Sequence, residues 1–340
     1  MDAVAILRRE DRAALFQQVA SRRGQREEVW EKDFWVCWTL KRLFPVSKGH
    51  PGLLFKGGTS LSKVYRLISR FSEDIDLSVD RHDLGFIDGR DPLNASSRNK
   101  AQKLTDELAT KCVAHIQTEL LPQLNSKFSR ALGAEPGSDW DLEVSSTDPQ
   151  TLIFRYPSAF SDAENLAAYL LPRVRLELGA RADHWPASTH LIKPYAAEDF
   201  PGFFSDSECA VHVLSAERTF WEKATILHME YHRETVRAHR TSRHYYDLVM
   251  MARSKVRQEA LAQLEVLIDV AKHKKIFFPA TWARYDEARP GTLRLVPNRG
   301  LSSALARDYE EMAEYFFEDP PSFETLLAEL EDLEAEVNSS

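Results

Sequence analysis

Between Phe55 and Val79 the chain reads FKGGTSLSKVYRLISRFSEDIDLSV. Leu53 to Phe55 is a short apolar run that enters Gly57-Gly58, and Thr59 or Ser60 is placed to cap a helix reaching about Leu67. Asp74 to Val79 then alternates with period two, so the stretch is expected to fold as strand, helix, strand. Residues two apart on a strand share a face, which makes Asp74 and Asp76 project together while Ile75 points the other way. Two neighbouring carboxylates repel unless a cation lies between them or one holds a proton. Hard oxygen ligands suit Mg²⁺ or Mn²⁺, and a pair of such ions is a common device for in-line displacement at phosphorus. Gly57 and Gly58 lack side chains, so backbone amides at a helix start could approach a phosphate, with the Thr59 and Ser60 hydroxyls as further donors. Singly, a Gly-Gly turn or a D-x-D is as readily a solvated turn; together they describe a nucleotide-handling site.

Outward from this stretch, residues 25–44 (QREEVWEKDFWVCWTLKRLF) carry apolar and aromatic residues at mostly helical spacing, with Pro45 as terminator. Asn99 to Leu120 reads as helix, and Trp140 to Val144, Leu152 to Tyr156 and Arg173 to Leu178 as strands. Residues 180–212 read as loop-rich, with Pro186, Pro194 and Pro201. Helices follow: Ser215 to Glu234, Ser242 to Arg253, Val256 to Lys272, Ser303 to Phe317 and Ser322 to Val337. The fold class expected is α+β, with a mixed α/β domain over 1–210 and a helical domain over 211–340. The closing FETLLAELEDLEAEV reads as a solvated helix with one packed face; a partner-binding helix is the alternative.

The 340 residues are 43% apolar, enough for a sizeable core, and carry a formal charge of -8. That charge excludes a general polycation-like attraction for nucleic acid, so an anionic partner must meet a local basic patch. Cys37, Cys112 and Cys209 lack C-x-x-C spacing, arguing against a disulfide framework or cysteine zinc site. No apolar run spans a bilayer and the first residues lack a signal-peptide core, so no membrane contact and a cytoplasmic location are expected.

The two halves of the opening stretch, Lys56-Gly57-Gly58-Thr59-Ser60-Leu61 and Arg70-Phe71-Ser72-Glu73-Asp74-Ile75-Asp76-Leu77, resemble the first signature of the AbiEii/AbiGii toxin family. These are abortive-infection nucleotidyltransferases of the DNA polymerase β superfamily, and the longer interval between turn and aspartates is similar to the toxin family's own pattern. A second segment, Glu217-Arg218-Thr219-Phe220-Trp221-Glu222-Lys223-Ala224 followed by Arg243-His244-Tyr245-Tyr246-Asp247-Leu248, resembles the family's helical EK…RDxYDL signature, with His244 where many relatives carry Asp. The resemblance implies a polymerase β-like mixed sheet with flanking helices. It also implies an NTP substrate, Mg²⁺ or Mn²⁺, a transfer RNA 3′ end as acceptor, and a cognate antitoxin. By the same resemblance Asp74, Asp76, Lys223 and Asp247 are catalytic, and Lys56, Gly57, Gly58, Thr59, Ser60, Ser72 and Lys223 bind the nucleotide.

Superfamily members commonly add a third metal-coordinating carboxylate from a neighbouring strand, and Glu177 in RVRLEL is the candidate here. The competing reading is an ion pair with Arg175 or Arg173. Lys223 sits in an aromatic, apolar helical segment, where an ammonium must snorkel or meet an anion. It reads either as a triphosphate ligand oriented by Asp247 or as half of a helix–helix salt bridge with it. The segment HRETVRAHRTSRH (232–244) is a candidate basic patch or a solvated helix end. His228 and His232 have the i, i+4 spacing of a zinc pair, but the intervening Glu230 is out of place for H-E-x-x-H. A nucleotidyltransferase acting on a protein or small molecule, and a non-catalytic nucleotide- or partner-binding module, stay open as alternatives.

Overall fold

The computed structural model describes residues 1–44, 52–160, 171–234 and 240–340. These divide into two compact units. Unit one comprises Met1–Val64, Phe71–Ile87 and Asp106–Val213; unit two comprises Tyr65–Arg70, Asp88–Thr105 and Leu214–Ser340.

In unit one the chain runs α1 (Asp2–Ala5), α2 (Arg9–Arg23), α3 (Glu27–Leu43), β1 (Leu53–Lys56), α4 (Gly57–Lys63) and β2 (Ile75–Val79). Then come α5 (Arg98–His115), whose first residues group with unit two, α6 (Leu121–Leu132), β3 (Asp141–Val144), β4 (Thr151–Arg155), β5 (Arg173–Gly179), β6 (Ala187–Ile192), α7 (Tyr195–Asp199) and β7 (Cys209–Leu214), whose last residue groups with unit two. The strands form one seven-stranded mixed sheet in the order β3-β4-β5-β2-β1-β7-β6. β2 lies inside it, antiparallel to β1 and parallel to β5. Ile75, Leu77 and Val79 are buried, as are Leu53, Leu54 and Phe55 of β1, so the central strands are anchored by apolar contact and ladder bonds together.

The helix α3 begins with Glu27 and Glu28 and ends with Lys41 and Arg42, charges that complement its dipole. Nearly all of it is buried. Trp38 stacks on Phe154 of β4 with centroids 5.6 Å apart, and Trp35 on Tyr156 at 5.4 Å. Phe128 of α6 meets Trp38 and Phe154 edge-on at 4.8 and 4.7 Å. Such pairs each contribute about 0.5–1.5 kcal/mol beyond area burial, so this aromatic cluster fastens α3 and α6 to the sheet. Pro45, expected to terminate the helix, lies outside the described residues.

Unit two contains α8 (Ala216–Tyr231), α9 (Arg243–Ala252), α10 (Val256–Leu261), α11 (Leu264–Phe277), α12 (Arg299–Glu311) and α13 (Phe323–Asn338). Ser215 and Ser322 cap α8 and α13 by accepting from the Arg218 and Thr325 amides. Phe323, Leu326, Leu330, Leu333 and Val337 form the buried face of α13, which packs on α9, in keeping with a solvated helix with one packed face.

Several boundaries differ from the expectations. Helix α4 starts at Gly57, and neither Thr59 nor Ser60 caps it, because both hydroxyls lie inside the helix and bond elsewhere. It stops at Lys63 rather than Leu67, and Arg66, at φ 53°, turns the chain away. The 99–120 helix continues through a wider turn at Ile116–Leu120 into α6, and Pro122, which has no N–H to donate, directly follows that wider turn. The loop-rich region holds β6 and β7: β6 is a polar edge strand, whereas Cys209, Val211 and Val213 alternate as buried residues of β7. The single helix expected over 256–272 breaks at Ala262-Gln263 into α10 and α11. The helix expected from Ser303 starts at Arg299, where Asn298 accepts from the Gly300 amide.

Candidate functional site

Both glycines of the opening stretch sit where β1 turns into α4, and Gly57 has φ +80°, a conformation costly to any residue with a Cβ. A Cβ at Gly57 would also lie 1.9 Å from Asp76 Oδ2. The absence of a side chain at Gly57 is therefore what lets the Asp76 carboxylate lie over the strand-to-helix turn. Register does the rest of the placement: Asp76 is opposite Lys56 on β1 and opposite Glu177 on β5.

Thr59 Oγ1 donates to the Asp74 carbonyl at 2.5 Å and lies 2.9 Å from Ser72 Oγ. Ser60 Oγ donates to the Gly57 carbonyl at 2.8 Å. Thr59 and Ser60 are buried, so in this structure their hydroxyls and that of Ser72 fasten the 72–74 segment and the Gly57 turn to α4.

Asp74 is the electrostatically stressed group. Burial pushes its carboxyl up to about 6, reinforced by Glu73, Glu177 and Asp76, with Arg175 opposing. Its Oδ1 is buried and has no hydrogen-bond partner among the described residues. Arg175 Nε lies 3.6 Å from that oxygen, beyond hydrogen-bonding distance. Arg175 Nη2 instead donates to Glu177 Oε1 at 3.1 Å, so the Arg175 pairing weighed for Glu177 is present. As the side chains stand, no three His, Cys, Asp or Glu groups among the described residues converge as an ion-binding set. The donor chemistry nonetheless fits a divalent cation: an orphaned buried oxygen on Asp74 just before β2, Asp76 two residues on within it, and Glu177 opposite Asp76 on the adjoining strand.

Sequence reading assigned no role to Lys32 or Glu73. Lys32 Nζ bonds Glu73 Oε2 at 2.5 Å and the Leu171 carbonyl at 3.2 Å, which neutralises the carboxylate next to Asp74. A signal existed: Glu31-Lys32-Asp33 interrupts an aromatic helix, and buried charges need partners. Asp33 is held by Lys63 at 2.6 Å and by the Tyr195 amide at 2.8 Å.

In unit two, Lys223 and Asp247 are in contact. Lys223 Nζ donates to Asp247 Oδ2 at 2.7 Å and lies 3.1 Å from His244 Nδ1. Arg70, in the first resemblance motif but given no role there, closes on the same carboxylate from the other side, with 2.7 and 2.8 Å bonds. Burial lowers Lys223, partly offset by Asp247. Burial, with Lys223 and Arg243 beside it, pushes His244 well below the usual imidazole range and keeps it neutral. Of the basic segment 232–244, Arg233 pairs with Glu230 at 2.8 Å and covers the Trp282 ring, the Arg240 guanidinium lies over Tyr315, and 235–239 lie outside the described residues. His228 bonds backbone through both ring nitrogens.

An α+β fold whose mixed sheet carries an acidic pair at the start of an inner strand, beside a glycine turn, is the framework of a nucleotide-handling protein. The family model described as nucleotidyl transferase AbiEii toxin, type IV TA system, matches residues 38–329, and the chain belongs to this family of toxin nucleotidyltransferases. Membership implies an NTP substrate and an antitoxin partner. Among solved structures the chain is similar to MenT4, a nucleotidyltransferase toxin from Mycobacterium tuberculosis H37Rv, at 19% identity and TM-score 0.41, over 97% of this chain and 99% of that one. No curated protein matches the chain. Among the described residues no helix is long and apolar enough to cross a membrane.

Proposed function

We propose that this nucleotidyltransferase transfers a nucleoside monophosphate from an NTP to a hydroxyl of an RNA acceptor, a transfer RNA 3′ end by the family resemblance, in the cytoplasm. The acceptor oxygen forms a bond to the α-phosphorus as the bond to the β-phosphate bridging oxygen breaks, releasing pyrophosphate and the hydroxyl proton. The observation that carries the reading is Asp76 on β2 at the register position opposite Glu177 of β5, with the buried, unpartnered Oδ1 of Asp74 one residue before the strand.

Asp74 and Asp76 would hold Mg²⁺ or Mn²⁺, with Glu177 as the third carboxylate. A bound divalent ion supplies charge neutralisation and Lewis-acid polarisation at the phosphates. Gly57 and Gly58 leave the turn open to a phosphate, and Lys56 brings a cation to the same end of β1. Thr59, Ser60 and Ser72 act by holding the turn and the Asp74 segment in place, so that catalysis rests on positioning and electrostatics. Lys223 and Asp247 are assigned to the buried ion pair with Arg70, which ties residues 65–70 to α8 and α9.

The test is transfer of label from each α-labelled NTP to total RNA, comparing the wild type with Asp76→Ala in the presence of Mg²⁺ or Mn²⁺ and with chelator. Asp76-dependent, metal-dependent, ribonuclease-sensitive label is the expected result. Label sensitive to protease instead would move the acceptor to a protein.

A further inference from the structure

Unit two contains a cavity of about 560 Å³ lined by the start of α5, the end of α11 and the turns that follow it. That volume is in the range of small-ligand pockets, roughly 300–1,000 Å³. Ile276 contributes to its apolar lining, and Arg98, Lys272, Lys275 and Arg284 face a single lining carboxylate, Asp286. Lys275 and Asp286 bond each other at 2.7 and 2.8 Å. Lys272 and Arg284 reach Asp269 and Glu287 only loosely, at 3.7 and 3.6 Å. In a chain of charge -8 this is a local excess of the opposite sign.

Two of these cations occupy unfavourable positions. Arg98 is the first residue of an 18-residue helix, where the dipole opposes a positive charge, and it has no ion-pair partner among the described residues. Arg284 has φ 46° and ψ 43°, a left-handed conformation uncommon for a residue with a Cβ. It is held there by His228, whose Nε2–H donates to the Arg284 carbonyl at 3.2 Å while Nδ1 accepts from the Arg294 amide at 3.1 Å. A strained backbone and an unpaired cation, both in the lining of one cavity, are the kind of local conflict that a ligand resolves.

We infer that this cavity seats one nucleotide of a single-stranded RNA, the base against the apolar lining and the adjoining phosphodiesters on Arg98 and Arg284. Planar bases on apolar or aromatic surface with cations tracking the backbone is the general chemistry of single-strand binding. The concavity favours a planar body over an acidic peptide, and cations from three separate segments favour a continuing strand over a free nucleotide. This inference rests on the RNA-acceptor reading above and adds where the strand is held.

The full-length protein is tested with a short fluorescein-labelled single-stranded RNA, read by anisotropy across a salt series, for wild type, Arg98→Ala, Arg284→Gly and the double variant. Glycine is at ease in the left-handed region, so Arg284→Gly removes the cation while relieving the backbone, and loss of binding with an undiminished melting temperature is not unfolding. Each single variant is expected to weaken binding about 3–10-fold, with the log–log salt slope shallower by about 0.7 per lost phosphate contact. Thermal stabilisation by NTP stays as in the wild type. Wild-type affinity and salt slope in the double variant would overturn the assignment, as would displacement of the RNA by polyglutamate or by free mononucleotide as effectively as by unlabelled RNA. Label transfer is measured in parallel. Arginine-dependent binding without transfer to RNA sinks the acceptor reading and leaves the cavity's ligand standing; transfer with unchanged binding in the double variant sinks the cavity alone.

Discussion

Arg70 and Asp247, 177 positions apart, meet through two hydrogen bonds of 2.7 and 2.8 Å, with Lys223 on the same carboxylate. Burial opposes ionisation of Asp247, but Arg70 and Lys223 more than offset it and hold its carboxyl well below the usual range. Removing the carboxylate leaves two buried cations without their counter-charge, a change that typically costs about 3–5 kcal/mol. Asp247→Ala is therefore expected to lower the urea midpoint by that equivalent. Because the folded-state value is depressed, the contribution of Asp247 is complete above the unfolded carboxyl range near 4 and is lost as pH falls below it. A midpoint within about 1 kcal/mol of wild type at pH 7 would show that solvent reaches the cluster.

Gly57 separates strain from collision. Gly57→Ala places a Cβ against Asp76 Oδ2 and demands a left-handed alanine, whereas Gly133→Ala, at φ +68°, meets nothing within 4 Å. Both substitutions are expected to cost about 1 kcal/mol or more of stability from backbone strain. Only Gly57→Ala should also displace Asp76 and cut nucleotidyl transfer, by roughly 100-fold or more, since a misplacement of about 1 Å at reacting groups has that scale. Equal activity in the two variants would mean that Asp76 does not need its present position.

The strand-helix-strand core of the site was legible because its signals are local: period-two alternation for β2 and a glycine pair at the turn. What was not legible depends on distant contacts. Thr59 resembles a cap and instead bonds the Asp74 carbonyl, fifteen residues on. Arg175 two residues before Glu177 made an ion pair readable, but the burial of Asp74 Oδ1 ahead of β2 depends on distant packing that no short window contains. Arg70 carried no role in the sequence, because its partner Asp247 lies 177 residues on. β6, polar and on the sheet edge, carries little alternation because only Ile192 is buried along it.

Asp74 is expected to oppose stability where it serves chemistry. Burial and the charges of Glu73, Glu177 and Asp76 raise its carboxyl to about 6, above the unfolded value near 4, so stability is lost as pH rises from about 4 to about 6 and the loss is complete above that. At pH 7.5 without divalent ions, Asp74→Asn should raise folding stability by about 1–3 kcal/mol and abolish label transfer. Adding Mg²⁺ should stabilise the wild type more than the variant, since an ion bound only by the folded state adds to its stability. A variant that is both less stable and still active would remove Asp74 from the proposed ion-binding set.

His228 gives the fold a separate acid-sensitive point. Burial pushes the imidazole down to about 4 although the Arg284 carbonyl favours the proton. Geometry gives the same direction: Nε2–H donates to the Arg284 carbonyl and Nδ1 accepts from the Arg294 amide, so a second proton would set N–H against N–H. With the folded value below the unfolded one of about 6.5, the unfolded chain takes up a proton first as pH falls. The His228 contribution is whole above about pH 6.5, declines between there and about 4, and changes no further below, a loss on the order of 3 kcal/mol. Urea midpoints at pH 7 and pH 4.5 for wild type and His228→Gln isolate it, because the carboxylates titrate in both proteins and only the wild type carries the imidazole. The wild type should lose more stability than the variant by about 2–3 kcal/mol over that interval; parallel losses would mean that the ring accepts its second proton without breaking the hold on Arg294.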